Sequence, residues 1–123
     1  MTTHSSHTVW RLPCKSQECN EGPRLETSFD TAKLLFDYET DSGEYAWDSI
    51  ELAGVRGLSF TAAQSCLPEQ IDAYDKLVEI NPSEWIDSLQ NRSPGGYAPK
   101  LYHYRIFFDE VGCYEFAAES WKR

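Results

Sequence analysis

Two apolar runs close together near the C-terminus constrain this chain more than any other feature. Tyr102-His-Tyr-Arg-Ile-Phe-Phe-Asp109 and Cys113-Tyr-Glu-Phe-Ala-Ala-Glu119 are rich in aromatic and β-branched residues, and only Glu110-Val-Gly112 separates them. This is the pattern of a β-hairpin, with a left-handed residue expected at Gly112. In its first strand both alternating sets, Tyr102/Tyr104/Ile106/Phe108 and Leu101/His103/Arg105/Phe107, contain apolar residues. A strand apolar on both faces sits centrally in a sheet and is covered twice. The remaining strands must therefore come from upstream, and the N-terminal segment or a partner is expected to cover the second face.

Upstream, Lys33–Glu39 alternates, with Leu34, Phe36 and Tyr38 on one face and Asp37 and Glu39 on the other. Thr40-Asp-Ser-Gly43 is turn chemistry. The returning strand, Glu44–Leu52, changes apolar parity between Trp47 and Ile50, which predicts either a bulge or two partly covered faces. Ala53-Gly54 is a second turn, and Val55–Thr61 completes an expected three-stranded meander. Pro68–Asp75 opens like a helix, with proline and acids at its start. Leu77–Ile80 reads as strand or helix, and Asn81-Pro-Ser-Glu84 starts a helix bearing Trp85, Ile86 and Leu89. Asn91–Lys100 is expected to be a loop, and residues 1–9 a mobile tail. A short strand near Val9–Leu12 is expected to lay Trp10 on the body. The expectation is one α+β domain over residues 10–123. Its antiparallel sheet has about five strands, the meander plus the C-terminal hairpin, with one or two short helices on one face. A chain of 123 residues, 41% hydrophobic and 14% aromatic, is long and apolar enough for such a core.

The charge is unevenly spread. The formal net charge is −9, and Glu26–Leu89 holds fourteen acids against three bases. Six of those acids fall between Asp37 and Glu51, with no base among them. A concentrated negative field repels nucleic-acid phosphates and attracts basic proteins or cations. No window is apolar enough for a membrane span, and Met1–Thr8 has neither a basic cluster nor an apolar run. Four cysteines in that setting are expected as reduced thiols in the cytoplasm.

Four chemical constellations occur in the sequence. His4-x-x-His7 with Cys14-x4-Cys19 offers soft ligands at near-knuckle spacing, and is the basis of an alternative zinc-binding or enzymatic reading. Cys113 and His103 share the hairpin, but with Cys113 opposite Phe108 or Asp109 they stand too far apart for a nucleophile and its base. Strand-neighbour acids such as Asp37/Glu39 lack a converging base or phosphate cradle. The row Tyr102, Tyr104, Phe108 lacks the basic groove that single-stranded nucleic acid requires. No cofactor is expected.

A fifth pattern carries more. Tyr38, Tyr45 and Trp47 stand in or beside the acid run, and aromatic anchors within a negative field suit capture of a basic protein. The expected contact set is Tyr38, Asp41, Glu44, Tyr45, Trp47 and Asp48.

The segments Phe36-Asp-Tyr-Glu-Thr-Asp-Ser-Gly-Glu-Tyr-Ala-Trp-Asp48 and His103-Tyr-Arg-Ile-Phe-Phe-Asp-Glu-Val-Gly-Cys-Tyr-Glu115 resemble small acidic bacterial proteins of unassigned function. In general character the chain is similar to the immunity proteins of toxin systems. That resemblance implies a cytoplasmic, non-enzymatic binding protein that neutralises a toxin or other basic enzyme. A self-associating subunit, paired through the two-faced hairpin as a homodimer, is the further alternative.

Overall fold

In the computed structural model, residues 5–92 and 99–123 are described. Among them are nine strands: β1 (Ser5–Arg11), β2 (Arg24–Ser28), β3 (Thr31–Glu39), β4 (Tyr45–Ala53), β5 (Gly57–Ala62), β6 (Lys76–Asn81), β7 (Tyr102–Phe108), β8 (Gly112–Ala118) and β9 (Ser120–Lys122). Two helices, α1 (Pro68–Ile71) and α2 (Glu84–Asn91), accompany them. The strands form two antiparallel sheets, one of five in the order β1-β6-β7-β8-β5 and one of four in the order β2-β3-β4-β9.

The mostly antiparallel, α+β character matches the expectation, but a single sheet made of the meander plus the C-terminal hairpin does not: there are two sheets, and those strands are divided between them. The C-terminal hairpin lies in the five-stranded sheet and the β3–β4 hairpin in the four-stranded one. The expected third strand of the meander, β5, leaves its neighbour and pairs with β8, from Gly57↔Ala117 to Ala62↔Gly112. The break falls at Gly54, where φ is +65. An added Cβ there would also stand 1.9 Å from the Glu119 carboxylate. With the chain turned at that point, β9 takes the place beside β4.

The sheets pack face to face. Leu34, Phe36, Ile50 and Leu52 from one meet Tyr104, Ile106, Phe108 and Phe116 from the other. Phe36 and Phe108 stand 6.2 Å apart in a tilted pair, a geometry favoured by their quadrupoles. The second face of β7 and β8 is covered by helices, not by the N-terminal segment: Trp85, Ile86 and Leu89 of α2 pack on Leu101 and Ala117. The two-faced apolarity of the hairpin thus has its cover within this chain.

Residues 5–9, expected in the tail, form β1, because His7, Thr8 and Trp10 find partners along β6. Trp10 lies against Phe36 and Trp121, at 6.1 and 6.2 Å. The β3–β4 register is unbroken, so the parity change reflects apolar residues on both faces: Trp47 points outward and Ile50 inward. Leu77–Ile80 is strand. The helix at Pro68 lasts one turn, and Tyr74 then bridges to Phe107. In the C-terminal hairpin both Glu110, with φ +60, and the expected Gly112, with φ +145, have positive φ; Gly112 also presses on Thr61, whose carbonyl oxygen a Cβ would meet at 2.2 Å. Most of the expected loop Asn91–Lys100, residues 93–98, lies outside the described residues. No helix among the described residues is long and apolar enough to cross a membrane.

Candidate functional site

The expected contact set is divided by the sheet. Tyr45 and Trp47 point outward from the four-stranded sheet and are 49% and 43% exposed. Asp41 and Glu44 occupy the exposed turn beside them, and Glu39, opposite Tyr45 across the ladder, is exposed as well. Among the described residues none of these three carboxylates has an ion-pair partner. The Arg24 guanidinium lies 4.9 Å over the Trp47 ring and fixes its face. Tyr38 and Asp48 lie on the opposite side of the sheet: Tyr38 packs on the core, and Asp48 is bound by Arg123. The structure therefore assembles Tyr45, Trp47, Asp41 and Glu44, joined by Glu39, and separates Tyr38 and Asp48 from them.

Asp37 is the largest departure from the acid-ridge reading. It does point away from the core, as alternation predicts, but it is only 1% exposed. The loop before β2 folds over it, and the backbone N–H groups of Asn20, Glu21 and Gly22 donate to its carboxylate at 2.8–3.1 Å. Burial pushes its pKa up, but those bonds outweigh burial and hold it below 3.8.

The cysteine and histidine cluster does not assemble as a ligand set. His4 lies outside the described residues, and His7 on β1 pairs with Glu79 at 3.4 Å. No group of three or more His, Cys, Asp or Glu among the described residues is placed to hold a metal ion. Cys14 and Cys19 do flank the turn at Ser16–Glu18, and both pack against the main core. Burial, then the neighbouring Cys19 and Asp75, push the Cys14 thiol up to about 12; burial likewise pushes Cys113 to about 12. Since the thiolate is the reactive form, alkylation of both in the folded chain at pH 8 is expected to run at least ~10-fold slower than in urea. Mass mapping of iodoacetamide adducts checks this, and equal rates in both states would contradict the burial. Cys113 sits opposite Phe107, not Phe108 or Asp109. It shares a face with His103 but lies four residues along, roughly 13 Å, so the two do not meet.

A second site has no counterpart in the sequence reading. On the helix-covered face of the five-stranded sheet, Glu115 accepts from Arg105 Nε at 2.7 Å and from Gln70 Nε2 at 3.0 Å. His103 Nε2 lies 2.8 Å from the same carboxylate, and His103 Nδ1 lies 2.8 Å from Ser83 Oγ. A carboxylate only accepts, so Nε2 carries a proton, and in the neutral ring Nδ1 accepts from the Ser83 hydroxyl. That hydroxyl also accepts from Ile86 N at 3.3 Å as the N-cap of α2. It is buried and engaged twice, so the chain of bonds orients His103 and anchors the helix. Trp85 meets the His103 ring edge-on at 5.0 Å. Burial pushes the Glu115 pKa up, but bonds from His103, Arg105 and Gln70 prevail and hold it at about 2. The observed hairpin register sets Arg105 opposite Glu115, a pairing that the register expected from sequence would have missed. Ser83, Gln70 and Trp85 come from distant segments, and no local pattern announces them.

No protein-family model matches the chain, and neither does any curated protein or any solved structure.

Proposed function

We propose that this chain is a non-enzymatic protein-binding module that captures a basic partner on the outer face of its four-stranded sheet. The observation that carries this reading is the clustering of two half-exposed aromatic rings, Tyr45 and Trp47, with the carboxylates Glu39, Asp41 and Glu44, which have no ion-pair partner among the described residues. Aromatic area supplies the affinity, and the carboxylates steer encounter and set its salt dependence. An immunity or inhibitor role against a basic enzyme, acting in the cytoplasm, is the most concrete form of this reading. Tyr38 and Asp48, on the other side of the sheet, lie outside the proposed contact.

Two variants separate affinity from steering. Trp47→Ala is expected to weaken binding by about 2 kcal/mol or more, mainly through faster dissociation. The double reversal Asp41→Lys/Glu44→Lys is expected to slow association about tenfold at low salt and to flatten its dependence on ionic strength. Stopped-flow association measured across a salt series checks both. An unchanged association rate in the double reversal would remove the steering role, and an unchanged affinity in Trp47→Ala would remove the anchor.

A further inference from the structure

Beside the Glu115 network, between β1, α1 and the start of α2, lies a cleft of about 510 Å³, a size suited to a small ligand. It opens on the helix-covered face of the five-stranded sheet, away from Tyr45 and Trp47. Ile80 and Trp85 give it apolar walls. Trp85 is held in place by a glycine: a Cβ at Gly57 would stand 2.8 Å from the Trp85 ring. Its edge contact with His103 ties the wall to the buried network. Trp85 is therefore packed in position on both sides, and a wall already in place lowers the ordering cost of binding.

The charge of the lining selects the ligand class. Glu69, Asp72 and Glu84 line the cleft, and among the described residues none of them has an ion-pair partner. Among the described residues the one guanidinium in the lining, Arg105, is already engaged: its Nε donates to Glu115, and its Nη1 donates to the Glu69 carbonyl at 3.3 Å. An anion would meet three carboxylates with no free counter-charge. A neutral apolar ligand would strip water from those carboxylates and give nothing back, and a neutral polar one would return hydrogen bonds but no counter-charge. An aliphatic stem ending in a cation satisfies both features, its methylenes against Ile80 and Trp85 and its head among the carboxylates. We propose that this cleft binds the ammonium or guanidinium head of a short alkyl cation, carried either by a free amine or by a basic side chain of another protein.

The test is an NMR titration of the isotopically labelled full chain with n-butylguanidinium. Saturable shifts are expected at the Trp85 indole N–H and the His103 ring, with half-saturation at or below about 1 mM. Glu69→Gln/Asp72→Asn, both at exposed positions, is expected to weaken binding at least tenfold while keeping the dispersed spectrum of the folded chain. Glu44→Gln, on the other sheet, is expected to change nothing here, so this proposal and the protein-binding reading fail separately. A capped arginine that binds as well as butylguanidinium identifies a partner's side chain as the source, whereas its exclusion identifies a free cation. The proposal is overturned if no saturable shift occurs, if sodium chloride at equal ionic strength reproduces the shifts, or if the double variant binds like the parent chain.

Discussion

Glu115→Ala is expected to cost about 3–5 kcal/mol of folding stability, the range for breaking a buried ion pair by removing one partner. The Glu115 side chain is 12% exposed and receives bonds from His103, Arg105 and Gln70. Truncation leaves the Arg105 charge, itself only 13% exposed, without its carboxylate. Urea unfolding at pH 7 measures the loss. The same network predicts an acid dependence with a definite sign. The folded pKa of Glu115, about 2, lies below its ordinary 4.5, so the carboxylate stabilises the fold fully above that ordinary value. Stability is then lost as pH falls from about 4.5 to about 2, by roughly 3 kcal/mol from this one group. Glu115→Gln keeps the shape and removes the titration. The gap between parent and Glu115→Gln should therefore narrow steadily as pH falls through that window. A gap constant from pH 7 to pH 2 would show that the carboxylate is not bonded as described.

Asp37→Ala is expected to be comparably severe, at about 3–5 kcal/mol. Three backbone N–H groups donate to this one carboxylate, and each left without a partner costs about 1–3 kcal/mol where water cannot reach it. The loop has little room to adjust. Gly22 sits so close to β3 that an added Cβ would stand 2.8 Å from the Phe36 Cα. Asp37→Asn retains one acceptor oxygen and is expected to lose about half as much. Hydrogen exchange provides the local reading: amides 20–22 should lose protection in both variants while the amides of β7 and β8 keep theirs. Unchanged protection at 20–22 would place the loop elsewhere.

Asp37 also shows where sequence reading stops. Alternation along Lys33–Glu39 assigns its direction correctly, since it points away from Phe36 and the core. Period-2 patterning reports only which face a side chain leaves from, not what folds over that face. The covering loop, at Asn20–Gly22, lies fifteen or more positions away in sequence. The same limit explains the two sheets. Residues of β5 suit a strand, but Gly54 and the register with β8 decide which sheet receives it. Local elements were legible: β3, β4, β7, β8 and the Ser83 cap of α2 fall where composition and turn chemistry place them. The candidate surface was half legible: composition singled out Tyr45 and Trp47 among the acids, but only the unbroken β3–β4 register shows that both face outward while Asp48 faces the other side. The Glu115 network was the least accessible, because its members come from β7, β8, α1 and the cap of α2 and meet only after folding.

The proposed recognition surface is tested most directly by hydrogen exchange of the full chain bound to a basic protein that it retains under physiological salt. The account predicts slowed exchange across residues 39–48, no change at β7 and β8, and loss of the complex in Asp41→Lys/Glu44→Lys at the same ionic strength. Protection confined to the five-stranded sheet, or a complex indifferent to that double reversal, would contradict it.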